Sequence, residues 1–271
     1  MELAIFSAPP VVETVLSVQF SRLKTYSLAY AGWFWKQYLD ERGEWPKSIP
    51  VPRLPDVFER FDESESWSQF PFALSIQMAP ERLQIVRKDQ QRMIQVQDSR
   101  FVLNWKKQEQ SEYPTFGLLL PEFNDHFDKF TKFCQTIDNE SLDINQWEVT
   151  YVNIIEKGSL WNSVDDWKDI LPGLFIPQTV SDKAEAFQGE WKYLIAPQVG
   201  RLYISIKHIR VGGPNGQEAL MLQLVARGPV TAQSKHSLED GFNLGHETIV
   251  STFEKITSKE ARKTWKQRGL K

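Results

Sequence analysis

The stretch VVETVLSVQF, residues 11–20, predicts the first strand of the fold. Apolar residues recur in it at a period of two, and β-branched residues occur throughout, which together favour an extended backbone. The apolar residues on one side are Val12, Leu16, Val18 and Phe20. The next segment, SLAYAGWFWKQYLDERG, has helical spacing between a capping serine and a terminal glycine. The chain therefore opens with a strand followed by a helix.

A proline-rich excursion follows from Trp45 to Phe72. Its prolines suppress regular structure, and the run DESES adds charge, so we expect a long surface segment. Beyond it, FALSIQM, RLQIVRK, RMIQVQ and FVLNWKK are separated by turn residues and predict an antiparallel meander.

A long amphipathic helix is predicted from PEFNDHFDKFTKFCQTI, residues 121–137. Its apolar face has a four, three, four, three spacing and consists of Phe123, Phe127, Phe130, Cys134 and Ile137. This helix ends the first half of the chain.

The second half repeats that order of elements. QWEVTYVNIIEK predicts a strand, SVDDWKDIL a short helix with a capping box, and EWKYLIAPQ, GRLYISIKHIRV and QEALMLQLVARG three further strands. The turn GGPNG indicates a hairpin, and a second capping box at Ser237 and Asp240 opens another long helix. The apolar face of that helix repeats the same spacing through Phe242, His246, Ile249, Phe253 and Ile256.

The repeated order predicts an α+β fold made of two pseudo-repeated units. Each unit contains a strand, a helix, antiparallel strands and a long helix, and the helices cover one face of a sheet or of two abutting sheets. We expect halves at residues 1–140 and 141–271, packed as a single compact body. Most of the ten tryptophans lie inside apolar patterns, which favours a core role over a stacking surface.

Composition excludes several classes of protein. The 41% apolar and 25% charged residues are ordinary for a globular chain, and a net charge of -3 gives no general attraction to nucleic acid. The single Cys134 rules out an intrachain disulfide framework. No apolar run approaches the roughly 18 residues of a membrane span, so we expect a cytoplasmic protein with no membrane association.

The dipeptide His246-Glu247 resembles the start of a zinc-protease helix. That helix requires a second histidine at i+4, so that two imidazoles share one face. Position 250 is Val250, which excludes the zinc-protease motif. Phosphate-binding loops and serine nucleophile motifs are also absent from the sequence, and we expect no metal and no cofactor.

Four polar residues at apolar positions are the main candidates for a binding site. Glu13 lies among valines, where a carboxylate is costly unless it is paired, so it is either an exposed or ion-paired residue or a site residue. Tyr151 and Asn153 share one side of their strand. His246 is either a satisfied, partly buried histidine or a ligand-binding group in the groove between the long helices. His208 follows an apolar strand face and is expected at the edge of the core.

The C-terminal segment KITSKEARKTWKQRGLK carries seven Lys or Arg against one Glu. Such a segment with Trp265 could contact phosphates and stack a base. The competing interpretation is a solvated terminal helix whose cations complement its dipole. The residues that would contact nucleic acid are Arg262, Lys263, Lys266 and Arg268.

Several phrases resemble, in order and spacing, the blocks of a sporadically distributed family of uncharacterised bacterial proteins. They are PPVVETVLSVQF, MIQVQDSRFVLNWKK with YPTF, WEVTYVNII, and GHETIVSTFEKIT with a terminal Trp. The resemblance runs from Pro9 to Trp265. The positions it emphasises are Glu13, Gln95, Gln97, Phe101, Asn104, Trp105, Tyr113, Pro114, Tyr151, Asn153, His246 and Phe253. It implies a mobile accessory gene of the defence or toxin–antitoxin type.

Together these observations predict a non-enzymatic module that binds a partner protein or small ligand. Its cleft would be lined by Glu13, Tyr151, Asn153 and His246, with Asn104 and Trp105 added by the resemblance. One alternative is an enzyme of unrecognised chemistry that uses His246 as general base and Glu13 as its partner. The other is nucleic-acid binding through the basic C-terminal segment. A homodimer is an expected form of assembly.

Overall fold

One antiparallel sheet forms the centre of the fold. The computed structural model describes residues 3–61, 80–109, 111–138, 141–175, 184–213, 215–230 and 235–269. Within these ranges nine strands pair antiparallel in the spatial order β2-β3-β4-β5-β1-β6-β9-β8-β7. The strands are β1 (Val11–Phe20), β2 (Lys47–Pro52), β3 (Pro80–Val86), β4 (Arg92–Gln97), β5 (Arg100–Lys106), β6 (Ile144–Glu156), β7 (Gln188–Ala196), β8 (Gly200–Val211) and β9 (Gln217–Pro229).

The described helices pack against one face of this sheet, which we call the helix face. They are α1 (Leu28–Phe34), which continues as a π-helical turn (Trp35–Leu39), α2 (Phe116–Asp138), a 3₁₀ turn (Val164–Asp166) that leads into α3 (Trp167–Ile170), α4 (Lys235–Ile256) and α5 (Lys259–Thr264). The even-numbered residues of β1 from Thr14 to Phe20 point to the helix face, because side chains alternate along a strand. The opposite face, called the polar face, carries Ser17 and Gln19.

Aromatic rings fill the space between α2 and the sheet. Phe101 of β5 lies within 5.7 Å of the rings of Phe123, Phe127 and Phe130, and all four are buried. Phe123 also contacts Phe242 of α4, with ring centroids 4.9 Å apart. The predicted apolar faces of the two long helices are therefore confirmed, since Ile249, Phe253 and Ile256 of α4 are buried as well.

Trp147 of β6 is enclosed by glycines on two sides. A Cβ atom at Gly241 of α4 would stand 2.4 Å from its ring, and one at Gly245 would stand 2.9 Å from it. On the neighbouring strands β8 and β9, Cβ atoms at Gly200 and Gly228 would approach the same ring to 3.2 and 2.9 Å. Glycine at these positions lets α4 and the end of the β8–β9 pair close around a buried indole.

Two predicted helix N-caps are confirmed. Ser27 caps α1 by accepting a hydrogen bond from the Tyr30 N–H, and Ser163 forms the predicted capping box with Asp166. The capping box expected at Ser237 is not a helix start, because α4 already begins at Lys235. The strand expected from FALSIQM lies outside the described residues.

Two predictions about proline were wrong. Residues 47–52 form β2 although Pro50 and Pro52 lie in them, and β2 is an edge strand, where a missing N–H is tolerated. Helix α2 begins at Phe116, so that Pro121 lies inside it rather than at its start. Burial of Phe116 and Leu119 in the core accompanies this additional N-terminal turn and offsets the lost donor of Pro121.

Candidate functional site

The sheet separates the residues that the sequence placed in a single cleft. In the pairing of β1 with β6, Thr14 is opposite Tyr151, and Glu13 is opposite Val152. Residues opposite each other share a face and neighbours along a strand do not, so Glu13 and Tyr151 lie on opposite faces. The predicted common cleft does not form. The enzyme alternative also loses its pair, because His246 reaches Tyr151 on the helix face, away from Glu13.

A tyrosine–histidine cluster occupies the helix face; it comprises Tyr113, Phe116, Tyr151 and His246. The Tyr151 hydroxyl lies 2.7 Å from Nδ1 of His246. The imidazole is stacked on Phe116 at the start of α2, with ring centroids 4.2 Å apart and an interplanar angle of 1°. Tyr113 meets Tyr151 edge to face at 6.5 Å. This packing fixes the ring orientation of His246.

Burial sets the protonation of this cluster. It lowers the pKa of His246 to about 4, so the ring is neutral near pH 7. It also raises the pKa of Tyr151 well above its usual value, and that hydroxyl keeps its proton. The contact therefore joins a neutral hydroxyl and a neutral imidazole, and the tautomer of the ring sets which of the two donates. A neutral, hydrogen-bonded histidine fits the structural interpretation of His246.

The neighbouring candidates on the helix face have structural contacts. Asn153 is buried and donates from Nδ2 to the Leu222 carbonyl at 3.1 Å. Trp105 is fully buried and packs edge to face on Tyr113 at 5.3 Å. Neither side chain is placed to contact a ligand in solution.

A polar ladder crosses four strands of the polar face; it comprises Glu13, Asn104, Gln95, Gln84 and Arg82. Asn104 donates to Glu13 at 2.7 Å, and Gln95 donates to Asn104 at 2.7 Å. The Gln95 carbonyl accepts from Arg82 at 2.6 Å and from Gln84 at 3.2 Å. The ladder thus pairs the predicted candidates Glu13 and Asn104 with each other.

An extended segment, residues 53–61, crosses the polar face at one end of the strands and is called the strap. Two glutamines each bond both main-chain groups of one strap residue. Gln97 of β4 donates to the Leu54 carbonyl at 3.0 Å and accepts from the Leu54 N–H at 2.9 Å. Gln19 of β1 does the same with Val57, at 3.0 Å in each direction.

A third glutamine continues this pattern on β6. Gln146 donates to the Val57 carbonyl at 2.8 Å and accepts from the Glu59 N–H at 3.0 Å. Arg100 of β5 adds a bond to the Pro55 carbonyl at 3.2 Å. Since a side-chain amide offers the same donor and acceptor as a peptide group, these residues hold the strap by its main chain.

The first acidic anchor of the strap is Asp56. Its carboxylate accepts hydrogen bonds from Ser99 at 2.6 Å, from Arg22 at 2.9 Å and from Arg53 within the strap. Burial acts to raise the pKa of Asp56, but the bonds from Arg53, Ser99 and Arg22 outweigh it and hold the pKa at about 2.

The second acidic anchor is Glu59, whose side chain is only 2% exposed. Its carboxylate accepts from Arg201 at 2.7 Å, from Tyr203 at 2.7 Å and from Arg227. Burial opposes ionisation, yet these donors lower the pKa of Glu59 below its usual value. The Arg201 guanidinium also covers the ring of Phe61 at 4.3 Å. This arrangement is a carboxylate pocket closed by charge-assisted donors.

Sequence analysis missed the strap and most of its partners. Gln19, Gln146 and Arg227 are polar residues inside apolar strands, which is the signal that singled out Glu13. That signal does not show which segment of the chain they bind, because the strap lies far from them in the sequence. Gln97 was emphasised only through the family resemblance.

The basic C-terminal segment does not present a stacking surface. Trp265 is 5% exposed and packs on Phe253 at 5.2 Å, so the nucleic-acid alternative loses the aromatic ring that would stack a base. Arg262 donates to the Glu254 carbonyl at 2.8 Å, and Lys263 pairs with Glu260 at 3.4 Å. Lys266 and Arg268 follow α5 in the terminal turn, where the Arg268 N–H donates to the Ile5 carbonyl.

His208 lies between two tryptophans of the core edge, as expected. Its ring meets Trp161 and Trp167 edge to face at 5.8 and 5.7 Å, and its Nε2 lies 3.5 Å from a Glu218 carboxylate oxygen. Among the described residues, no three His, Cys, Asp or Glu side chains converge as metal ligands would. None of the described helices has both the length and the apolar content needed to cross a bilayer.

Comparison of the chain with known protein families gives no match, and comparison with curated proteins gives none either.

Proposed function

We propose that this protein is a non-enzymatic binding module whose polar face accepts an extended, acidic segment of a partner protein. The observation that carries the proposal is the set of main-chain hydrogen bonds from Gln97, Gln19 and Gln146 to the strap. Amide side chains on three strands form a sequence-independent cradle, as the edge of a sheet does for an added strand.

Specificity would come from the acidic anchors. Arg22 and Ser99 bind the carboxylate at position 56, and Arg201, Arg227 and Tyr203 bind the one at position 59. A ligand with two carboxylates three residues apart in an extended backbone matches both. The strap occupies the cradle in this structure; under this proposal a partner segment would bind through the same hydrogen bonds and exchange with the strap.

The hydroxyl of Ser17 supports this assignment of the face. Ser17 lies on β1 between the polar ladder and the strap, is 2% exposed, and has no hydrogen-bond partner among the described residues. A buried hydroxyl without a partner costs stability, so a bound segment that bonded Ser17 would recover that cost.

The test uses a fluorescein-labelled peptide of residues 53–61, RLPDVFERF, and fluorescence polarisation. The receptor is the full chain carrying Asp56→Asn and Glu59→Gln, which removes both charges of its own strap but keeps an acceptor oxygen for the receiving residues at each anchor. This variant should bind the peptide, and the unchanged chain should bind at least about tenfold more weakly, because its tethered strap competes at high effective concentration.

The matched control adds Gln19→Leu and Gln146→Leu to the same receptor and should abolish binding. Absence of binding to the strap-weakened receptor, with its circular dichroism unchanged, would overturn the proposal. Binding that survives both glutamine substitutions would overturn the main-chain cradle.

We further propose that the halves at residues 1–140 and 141–271 are related by duplication. Outward from the central pair β1–β6, the strands follow as β5, β4, β3 on one side and β9, β8, β7 on the other. Helices α2 and α4 each follow the innermost of these strands in sequence. Phe123 and Phe242, which the helical spacing aligns, touch each other as residues near a twofold axis would. The duplication is tested by superposing β1, β5, β4 and α2 on β6, β9, β8 and α4, which should place Phe123 on Phe242. Helices that superpose out of this register would contradict the duplication.

A further inference from the structure

The two phenylalanines of the strap lie in different surroundings. Phe61 is half-buried, and the Arg201 guanidinium carbon lies 4.3 Å from the centroid of its ring. Phe58, three residues earlier, is 55% exposed. The same side chain is therefore covered by a cation at one position of the strap and open to solvent at the other.

The extended backbone of the strap brings positions 59 and 61 to one side. Gln146 bonds strap main-chain groups that are two residues apart, and such groups face the same way in an extended chain. Side chains alternate along an extended chain, so Phe61 points to the same side as Glu59. Phe58 and Arg60 point to the other side, and both are exposed.

One guanidinium contacts both residues on the first side. Arg201 donates to the Glu59 carboxylate at 2.7 Å while it covers the Phe61 ring. A guanidinium forms hydrogen bonds in its plane and stacks through its face, so the two contacts do not compete. Both exist together in this structure, and a bound segment would require of Arg201 only what the strap already requires.

On the basis of the function proposed above, we infer that the partner segment carries an aromatic residue two positions after its second carboxylate, and that Arg201 recognises this ring. The partner motif is then Asp-x-x-Glu-x-aromatic, with the positions that match Phe58 and Arg60 free to vary. Arg201 is 8% exposed, and a cation attracts the face of an aromatic ring most strongly where water is excluded. An aliphatic side chain of similar size offers no such face.

The test is fluorescence polarisation with variants of the labelled peptide RLPDVFERF, amidated so that no terminal carboxylate lies beside Arg201. The receptor is the full chain carrying Asp56→Asn and Glu59→Gln. In the peptide, Phe61→Ala should weaken binding at least about fivefold, Phe61→Leu should also weaken it, and Phe61→Trp should retain it. The matched control is Phe58→Ala in the same peptide, which should change the affinity less than about twofold.

A receptor variant assigns the effect to Arg201. Arg201→Gln keeps a donor for the carboxylate and removes the cation over the ring. The difference in affinity between the unchanged peptide and the Phe61→Ala peptide should then shrink to less than about twofold. Thermal melts establish that this receptor folds, and the peptide series decides the inference if it does not.

The outcomes separate this inference from the proposed function. Binding of the unchanged peptide with equal losses for Phe61→Ala and Phe58→Ala would overturn the inference and leave the proposed function standing. A Phe61→Leu peptide that binds as tightly as the unchanged peptide would overturn recognition of the ring by the cation. Absence of binding by the unchanged peptide would overturn both the inference and the proposed function.

Discussion

The hydroxyl of Tyr151 on β6 and the Nδ1 atom of His246 on α4 are 2.7 Å apart and form a polar contact between α4 and the centre of the sheet. Burial raises the pKa of Tyr151 and lowers that of His246, so near pH 7 the contact joins an uncharged hydroxyl and an uncharged imidazole. This contact depends on pH, and the first two predictions follow from it.

Acid should destabilise the fold through His246. The unfolded chain binds the proton with a pKa near 6.5, and the folded chain binds it only near 4. Between these values the unfolded state holds more protons, so stability is complete above about pH 6.5 and falls as the pH drops to about 4. The loss should reach about 3 kcal/mol, measured by urea unfolding across this range.

The contribution of His126 to this pH dependence must be distinguished from that of His246, because burial lowers the pKa of His126 to about 4 as well. The double variant His246→Phe, Tyr151→Phe should flatten the pH dependence only in part. A pH dependence identical to that of the unchanged chain would contradict the role of His246.

The Tyr151–His246 pair should show energetic coupling at pH 7. His246→Phe alone removes the Nδ1 partner of the buried Tyr151 hydroxyl and should cost about 1–3 kcal/mol beyond the packing change. Adding Tyr151→Phe should recover part of that loss, because the hydroxyl that lost its partner on α4 is removed. A double-mutant cycle from unfolding free energies measures the coupling, and strict additivity of the two changes would refute it.

Removal of the Glu59 carboxylate should strongly destabilise the chain. Glu59→Ala leaves Arg201 and Arg227 without their shared buried partner, although Arg227 keeps Glu148 at 3.5 Å. We expect a loss of about 3–5 kcal/mol in the free energy of unfolding. Arg60→Ala, at the adjacent exposed position of the strap, is the control and should stay within about 0.5 kcal/mol. Equal effects of the two substitutions would argue against the pocket.

The glutamine cradle should be visible in hydrogen exchange. Gln19→Leu removes the acceptor of the Val57 N–H, so that amide should exchange faster than in the unchanged chain, while amides in β1 keep their protection. Gln223→Leu is the matched control, since Gln223 lies on the polar face and has no bond to the strap among the described residues. Unchanged exchange at Val57 in the Gln19→Leu variant would contradict the bonding described here.

Replacement of glycine by alanine should change stability in opposite directions at Gly241, which packs on Trp147, and at Gly117, which does not. Gly241→Ala would place a Cβ 2.4 Å from the indole and should cost about 1–3 kcal/mol. Gly117→Ala on α2 meets only the Thr115 hydroxyl, at 3.9 Å, and should be neutral or stabilise by up to about 1 kcal/mol through helix propensity. Thermal melts of both variants measure these changes in stability. A Gly241→Ala protein as stable as the unchanged chain would show that α4 is free to shift.

Local patterns predicted the elements that depend on neighbouring residues. The four, three, four, three spacing of Phe123 to Ile137 and of Phe242 to Ile256 predicted the two buried helix faces, because a helix brings such positions onto one side. The start of α2 was missed, since burial of Phe116 and Leu119 in the folded core was not apparent from the local pattern. Helix α4 begins at Lys235, before the predicted cap at Ser237.

The sequence by itself determined the order of the described strands and helices apart from β2, and the apolar faces of α2 and α4, since these follow from the local period of apolar residues. Only the tertiary structure decided which polar residues meet. The β1–β6 register placed Glu13 and Tyr151 on opposite faces, and the strap brought residues 54–59 onto Gln97, Gln19 and Gln146. The physical reason is that main-chain groups are the same at every residue. A side chain that binds them leaves no pattern in the sequence of its partner.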